Sequence, residues 1–244
     1  MKNHTLIVGL GTGRCGTLTL TSFLNQQFGR PLITHEGDDT WYCGALGWDA
    51  PPNAKQIIRG VRQRWMGRIQ RNPIPSNLGS YYDRRIAGDI ALWHLPYADE
   101  LLRIGDVKAV VVRRRRADTQ RSFVTWFEDH LGLNPFSRRP QTCGKYAEPL
   151  GCALLSKCFP SLPNTSVYDG AGTYWDAYYA WTESLAAYHG PSRVAMFDME
   201  TLWDPTDVSE RARLLRFVGQ RKPWRLALPS SNGVYGHVPG WQKK

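Results

Sequence analysis

Residues 5–24 read TLIVGLGTGRCGTLTLTSFL, and this stretch decides the fold. A short apolar run predicts a buried strand, a glycine-rich turn follows, and the spacing of Leu and Phe after the turn predicts a helix. A strand, a glycine loop and a helix together form a phosphate-binding geometry, because glycines let backbone N–H groups approach an anion and the helix N-terminus adds partial positive charge. The spacing Gly11-x4-Gly16-Thr17 nearly matches a Walker A loop. The lysine before the final Thr is missing, however, and the cation is Arg14, in the middle of the turn.

The missing lysine argues against a nucleotide hydrolase, in which that lysine and a magnesium-binding Ser or Thr hold the phosphates. A small-molecule kinase remains an alternative, with Asp89 or Asp198 after a strand as the magnesium-binding residue. A glycine-rich strand-to-helix turn that binds no ligand is the other alternative.

A second segment, VKAVVVRRRRADTQRSF at 107–123, combines an apolar run with four consecutive arginines. The apolar run predicts a buried parallel strand, and the residues after the arginines predict the start of a helix. A basic run alone is most often a solvated surface feature. In a parallel sheet with right-handed crossovers, both strands end at the same edge, so the glycine loop and the arginines can reach one ligand.

The glycine loop and the arginine segment, in this order and about 100 residues apart, resemble the two nucleotide-binding motifs of bacterial-type sulfotransferases. These enzymes use 3'-phosphoadenosine 5'-phosphosulfate (PAPS). The resemblance implies an α/β fold, a three-layer sandwich with a central parallel sheet similar to that of P-loop nucleotide hydrolases. It also implies transfer of a sulfuryl group to a hydroxyl or amine, with adenosine 3',5'-bisphosphate (PAP) as the product and without a metal. Weaker similarity at 88–102, 174–202 and 213–219 extends the resemblance over much of the chain.

The resemblance also implies which residues bind the donor. The glycine loop is implied to bind the 5'-phosphosulfate, and Arg14 corresponds to the Lys or Arg of the family that faces the sulfuryl group. The 3'-phosphate falls on Arg114 and Ser122, eight residues apart in this sequence as in the family. The Asp-Pro that usually follows this Arg is replaced by two further arginines, so Arg113 remains an alternative to Arg114. The predicted donor-binding residues are Gly11, Thr12, Gly13, Arg14, Cys15, Gly16, Thr17, Leu18, Arg114 and Ser122.

Sulfuryl transfer also needs a base that takes the proton of the acceptor. Glu36, in the sequence THEGDD, is predicted to be this base, because similar bacterial sulfotransferases often carry a His-Glu pair here, with the carboxylate as base in some of them. His35 and then His94 are the alternatives. Each of the three also has a non-catalytic interpretation, as a residue of the surface or of the edge of the core. Cys15 is interpreted as a small loop residue rather than a nucleophile.

Alternating strand and helix patterns predict one domain over 1–244, with a parallel sheet covered on both faces. The predicted strands lie near 5–10, 31–36, 86–92, 107–113 and 193–197, and the predicted helices near 17–28, 97–104, 117–131 and 207–218, with a helical core stripe from Tyr174 to Tyr188. Residues 54–71 predict a basic amphipathic helix. Residues 132–172 contain several prolines and no sustained periodicity, and we expect them to form a lid or substrate loop.

The net charge of +10 and the pI of about 9.6 indicate an anionic partner, which a donor carrying phosphates and a sulfate would satisfy. A basic nucleic-acid-binding protein is the alternative from a different class, but the sequence carries no recognised binding motif, so we expect no nucleic acid partner. The sequence contains no apolar run of about 18 residues, so we expect no membrane span. The five cysteines lack paired spacing, which predicts neither a disulfide framework nor a zinc site and favours the cytoplasm.

The acceptor is the least determined feature of the sequence. Trp41, Tyr42 and Trp48 follow Glu36 and would suit stacking against a sugar ring or another flat face, so a carbohydrate or glycolipid is one expected acceptor. Asp38 and Asp39 are candidates for orienting its hydroxyl groups.

Overall fold

Five parallel strands form one sheet in the computed structural model of the chain, which describes residues 4–28, 33–36, 48, 59, 63, 65, 67, 85–137 and 158–220. The strands are β1 (His4–Leu10), β2 (Ile33–His35), β3 (Arg85–Ile90), β4 (Val107–Arg113) and β5 (Val194–Asp198). Their order in the sheet is β2-β3-β1-β4-β5. The first strand of the chain is therefore central, and the carboxyl ends of all five strands meet at one edge.

Helices follow the strands in sequence. They are α1 (Thr17–Phe28), a 3₁₀ helix (Leu92–Tyr97), α2 (Ala98–Leu102), α3 (Arg116–Phe123), a π-helix (Val124–His130), α4 (Val167–His189), α5 (Met199–Leu202) and α6 (Ser209–Val218). The alternation of strands with helices matches the predicted order.

Two apolar clusters lie on opposite faces of the sheet. Successive side chains of a strand point to opposite faces, and in β1 Leu6 and Val8 join a cluster with α2, α3 and α4. Ile7, between them, joins a second cluster with α1 and α6. Helices thus cover both faces, and the predicted three-layer α/β sandwich with a central parallel sheet is confirmed.

Gly88 allows the backbone of β3 to lie close to that of the central strand β1. A Cβ atom at this position would lie 2.0 Å from the carbonyl oxygen of Ile7, its partner in the parallel register. Only glycine leaves room for this backbone contact. The pairing of β1 with β3 fixes where β3 ends, and therefore where the residues after it reach the edge of the sheet.

Most predicted elements lie within two residues of the observed ones, but four predictions need correction. The strand predicted at 86–92 ends at Ile90, and a 3₁₀ helix continues its apolar run. The helix predicted at 117–131 is α-helical only to Phe123 and then π-helical. Tyr188, predicted to belong to the core stripe of α4, is 73% exposed.

The loop predicted at 132–172 is too long at its C-terminal end, because α4 begins at Val167. The Ser166 hydroxyl accepts a hydrogen bond from the backbone N–H of Asp169 at 3.0 Å and caps the helix. The pattern Ser166-x-x-Asp169 is a helix-start signal that apolar periodicity does not register. Residues 138–157 lie outside the described residues, so the lid stays a prediction.

The basic amphipathic helix predicted at 54–71 also lies mostly outside the described residues. Its four described members, Arg59, Gln63, Trp65 and Gly67, are helical, and Trp65 is buried.

Candidate active site

The glycine loop turns between β1 and α1 through three residues with left-handed backbone. The φ angle is 77° at Gly13, 56° at Arg14 and 85° at Gly16. Glycine adopts this conformation freely, whereas a side chain does so at a cost. The turn leads into α1, whose first backbone N–H groups have no partner within the helix. The loop and the helix N-terminus therefore offer an anion site at the carboxyl edge of the sheet.

Helix α4 holds both predicted nucleotide-binding segments in place. The Tyr178 hydroxyl accepts a hydrogen bond from the backbone N–H of Gly11 at 2.8 Å. The Tyr179 hydroxyl donates to a carbonyl of β4 at 2.8 Å. The indole N–H of Trp175 donates to the carbonyl of Arg114 at 2.8 Å. Tyr174, Tyr178 and Leu185 of the predicted stripe are buried in the core, and the aromatic side chains of α4 also fix the loop and the end of β4 relative to each other.

Thr12 and Cys15 form the buried underside of the loop, each with no exposed surface. A Cβ atom at Gly11 would lie 2.3 Å from the Cys15 Sγ, so the loop packs tightly around the thiol. Burial raises the pKa of Cys15 to about 11. The thiol is therefore protonated at neutral pH and acts as a packing group.

Arg14 extends from the loop to the helix that follows β4. Its Nε–H donates to the Ser122 hydroxyl at 3.2 Å, and its guanidinium lies over the Trp126 ring, 4.7 Å from the centroid. Its Nη1 and Nη2 groups make no hydrogen bond with the residues that the structure describes. Burial, and secondly the charge of Arg114, lowers the pKa of Arg14. An anion beside these two guanidinium groups would offset both effects.

The four consecutive arginines at the end of β4, Arg113 to Arg116, have different environments. Arg114 lines the same cavity as Arg14, and its Nη1 donates to the Arg14 carbonyl at 3.0 Å. The other three pair with carboxylates: Arg113 with Asp198 at 2.7 Å, Arg115 with Asp118 at 2.8 Å and Arg116 with Asp176 at 2.9 Å. Of the two alternatives, Arg114 therefore lines the cavity, whereas Arg113 pairs with Asp198 at the end of β5.

Glu36 follows β2 directly, with left-handed backbone (φ 50°) and its N–H bonded to the carbonyl of Ile90 at 3.1 Å. Its side chain is exposed at the cavity, and the neighbouring protein atoms partly desolvate the carboxylate. This desolvation, and secondly the charge of Asp89, raises the pKa of Glu36 to about 7; Arg14 and His94 act in the opposite direction. The carboxyl group is thus poised near neutral pH, as a general base requires.

The two alternative bases have different surroundings. His35 lines the cavity, and its Nε2 lies 3.0 Å from the Thr17 Oγ1. His94 is only 2% exposed and does not line the cavity. Its Nε2 lies 2.8 Å from the Asp89 carboxylate, which also accepts a hydrogen bond from the Thr34 hydroxyl.

The cavity has a volume of about 350 Å³. Nine predicted site residues line it: Gly13, Arg14, Gly16, Thr17, Leu18, His35, Glu36, Arg114 and Ser122. Its remaining lining is apolar: Leu92, Phe123, Trp126, Phe127, Phe159 and Met199, together with Thr19 from α1.

Sequence reasoning did not identify the apolar lining. Trp126 lies four residues after Ser122, which is a helical spacing that places both on one face, so a signal existed. Phe159 follows a segment without periodicity, and no sequence signal places it at the cavity. Trp48, considered as a stacking group for the acceptor, instead packs against Tyr174 of α4, with ring centroids 5.1 Å apart. Asp38, Asp39, Trp41 and Tyr42 lie outside the described residues.

Within the described ranges, no group of three or more His, Cys, Asp or Glu side chains is arranged to hold a metal ion. None of the helices described in the chain is both long and apolar enough to cross a membrane.

Comparisons with known proteins give solved structures only. No family model matches the chain, and no curated protein matches it. The chain is similar to a sulfotransferase from Alicyclobacillus acidocaldarius, with 15% identity, a TM-score of 0.49 and coverage of 90% of this chain and 82% of the other. It is also similar to the sulfotransferase domain of the curacin biosynthetic pathway, with 13% identity, a TM-score of 0.47 and coverage of 94% and 79%. A retinol dehydratase in complex with androsterone and the inactive cofactor PAP shows 10% identity, a TM-score of 0.37 and coverage of 91% and 61%.

Proposed function

We propose that the protein transfers a sulfuryl group from PAPS to a hydroxyl or amine of an acceptor. One observation carries this proposal. Arg14 of the glycine loop touches Ser122 and Arg114, which are 108 and 100 residues away in the chain, and all three line one cavity. The fold thus brings two basic segments to one cavity, and the lysine that a nucleotide hydrolase needs is missing from the loop.

The residues of the cavity fit the two anionic ends of this donor. At the 5' end, the loop N–H groups, the N-terminus of α1 and the Nη groups of Arg14 would bind the phosphosulfate. At the 3' end, Arg114 would bind the phosphate. The Ser122 hydroxyl accepts from Arg14, so its own hydrogen can be donated to that phosphate.

The transfer step requires stabilisation of charge and removal of one proton. The acceptor oxygen attacks sulfur and forms a new S–O bond, while the S–O bond to the 5'-phosphate breaks and its electron pair remains on PAP. Arg14 and the loop amides stabilise the charge that grows on that leaving oxygen. Glu36 takes the acceptor proton, and its pKa of about 7 suits this role.

The acceptor side of the proposal rests on the aromatic lining. Phe123, Trp126, Phe127 and Phe159 line the cavity that also holds Glu36. Such rings stack against sugar rings and other flat apolar faces. We therefore propose an acceptor whose hydroxyl lies next to a face of this kind, with a carbohydrate or glycolipid as one class to screen.

Calorimetry with PAP, AMP and ATP in the presence of EDTA tests the donor. We expect PAP to bind more tightly than ATP and without a divalent metal. Arg114→Ala should weaken PAP binding about tenfold or more and AMP binding much less, because a hydrogen bond to a charged group is worth about 1.5–3 kcal/mol. Arg113→Ala is the matched control, since Arg113 pairs with Asp198, and it should leave PAP affinity unchanged.

Two results would contradict the proposal. Tighter binding of ATP than of PAP would favour a kinase. An equal loss of PAP and AMP affinity in Arg114→Ala would show that Arg114 is not at the 3' end of the nucleotide.

A further inference from the structure

A hydrogen bond between side chains connects the end of β2 to the first residue of α1. The Nε2 of His35 lies 3.0 Å from the Oγ1 of Thr17. Thr17 is 7% exposed and His35 is half-buried, and both line the cavity. Thr17 also belongs to the predicted binding site for the 5' end of the donor. The two residues are 18 positions apart in the chain, so their contact depends on the fold and not on closeness in sequence.

The direction of this hydrogen bond decides what Thr17 can do. A neutral imidazole has one nitrogen that donates and one that accepts, and a threonine hydroxyl has one hydrogen and two lone pairs. If the Nε2 of His35 accepts, the only hydrogen of the hydroxyl is used, and Thr17 turns lone pairs toward any anion. If the Nε2 donates, the hydroxyl hydrogen remains for the anion. An anion at this end of the cavity therefore favours the tautomer with hydrogen on Nε2.

The surroundings of His35 favour the neutral ring that this argument requires. Burial lowers the pKa of His35, while the negative charge of Asp89 acts in the opposite direction. The Nδ1 of the ring makes no hydrogen bond with the described residues, so no contact among those residues fixes the other tautomer.

We propose that His35 is a positioning residue: as the Nε2–H tautomer it donates to Thr17 Oγ1 and turns the Thr17 hydroxyl toward the 5'-phosphosulfate of the donor. This inference rests on the proposed function and replaces the alternative in which His35 is the general base. The two roles differ in what they affect. A base changes turnover and leaves the affinity for the product nucleotide unchanged, whereas a residue that acts through Thr17 changes that affinity without any acceptor.

A double-mutant cycle on PAP affinity tests the inference by calorimetry. His35→Ala should weaken PAP binding about three- to tenfold, the usual range for one hydrogen bond, and Thr17→Val should weaken it at least as much. In the Thr17→Val background, His35→Ala should cause no further loss, because the group through which it acts is absent. His35→Gln, which keeps an N–H donor, should restore most of the affinity.

The tautomer provides a second readout. In ¹⁵N NMR spectra of the full chain with PAP bound, the ring of His35, assigned by its loss in His35→Gln, should carry its hydrogen on Nε2. This measurement needs no variant that removes the contact, so it remains decisive if His35→Ala does not fold.

Three results would overturn the inference: unchanged PAP affinity in His35→Ala, additive losses in the double variant, or an Nε2 without a hydrogen in the PAP complex. Each of these leaves the sulfotransferase proposal intact. A wild-type chain that does not bind PAP would instead refute the proposed function itself.

Discussion

Arg14 and Glu36 share an uncommon backbone conformation. Their φ angles are 56° and 50°, in the left-handed region that favours glycine. Side chains in this region cost free energy and concentrate at functional sites, where the surrounding structure enforces them. Both residues line the cavity, and both were predicted from sequence: Arg14 from the spacing of the loop and Glu36 from its family resemblance. Their backbone conformation was not predicted, because it depends on the turn after each strand.

Glu36→Gln tests the role of the carboxylate in turnover. The variant keeps the shape and removes the basicity, so turnover should fall about 10²–10⁴-fold, measured with an acceptor found by screening with labelled donor. The ionised form is the base and the pKa of Glu36 is about 7, so wild-type activity should rise as the pH increases through about 7. The variant should lack this rise.

PAP affinity is the internal control for this experiment and should be nearly the same in both proteins. Wild-type turnover in Glu36→Gln would mean that another group takes the proton, and His35, which lines the cavity, and then the buried His94 should be tested.

At the scale of elements, the secondary structure of the two segments proposed to bind the nucleotide was predictable because each segment is local. Strand, turn and helix start lie within about 20 residues in each case, so the spacing of glycines, arginines and apolar residues carries the signal. The strand at 107–113 and the helix at 17–28 have the predicted bounds. Elements that depend on long-range contacts were not predictable in this way.

The π-helix Val124–His130 illustrates the difference. Its sequence continues the helical pattern of α3, and nothing in it marks the change of hydrogen bonding. The wider π-helical turn contains Trp126. The Arg14 guanidinium lies over the Trp126 ring, and this ring stacks on that of His130 with centroids 5.1 Å apart. Such short π-helical segments are frequent at functional sites, and this one brings an aromatic ring to the cavity.

Gly88→Ala tests the contact that registers β3 on the central strand. The added Cβ would lie 2.0 Å from the Ile7 carbonyl oxygen, a backbone atom that cannot move without breaking the pairing. We expect a loss of about 3 kcal/mol or more in the free energy of unfolding, at or beyond the upper end of the usual range for overpacking, measured by urea denaturation. Gly105→Ala is the control, since apart from its chain neighbours no atom of the described residues lies within 4 Å of its Cβ position, and it should change stability by less than about 0.5 kcal/mol. A stable Gly88→Ala protein would mean that the two strands can separate at no great cost.

At the scale of the whole molecule, the raised pKa of Glu36 links the site to folding. In the unfolded chain Glu36 has its ordinary pKa of 4.5, and in the folded protein about 7. The folded state therefore binds more protons between these values, and stability decreases as the pH rises through this window. Below about 4.5 the contribution is fully present, and above about 7 it is lost.

Glu36→Gln removes this titration, so the variant should become more stable relative to wild type as the pH rises from about 4.5 to about 7, with no further change above. Denaturation of the nucleotide-free proteins at several pH values measures the difference. Glu128→Gln, which removes an exposed carboxylate, controls for the loss of one negative charge and should show no such trend. A constant difference between Glu36→Gln and wild type across the window would mean that the Glu36 carboxyl group is not desolvated in the folded protein.

The central position of β1 has a consequence for the protein as it is made. Both neighbours of this strand come much later in the chain, at Arg85–Ile90 and Val107–Arg113. At synthesis rates of about 5–20 residues per second, an apolar strand with two unpaired edges waits roughly 5–20 s on the ribosome before β4 is complete. During that time its two native neighbours are not both available to pair with it, whereas strands of other nascent chains are. The nascent polypeptide therefore depends on a chaperone, or on low local concentration, for longer than a fold whose first strands form a hairpin.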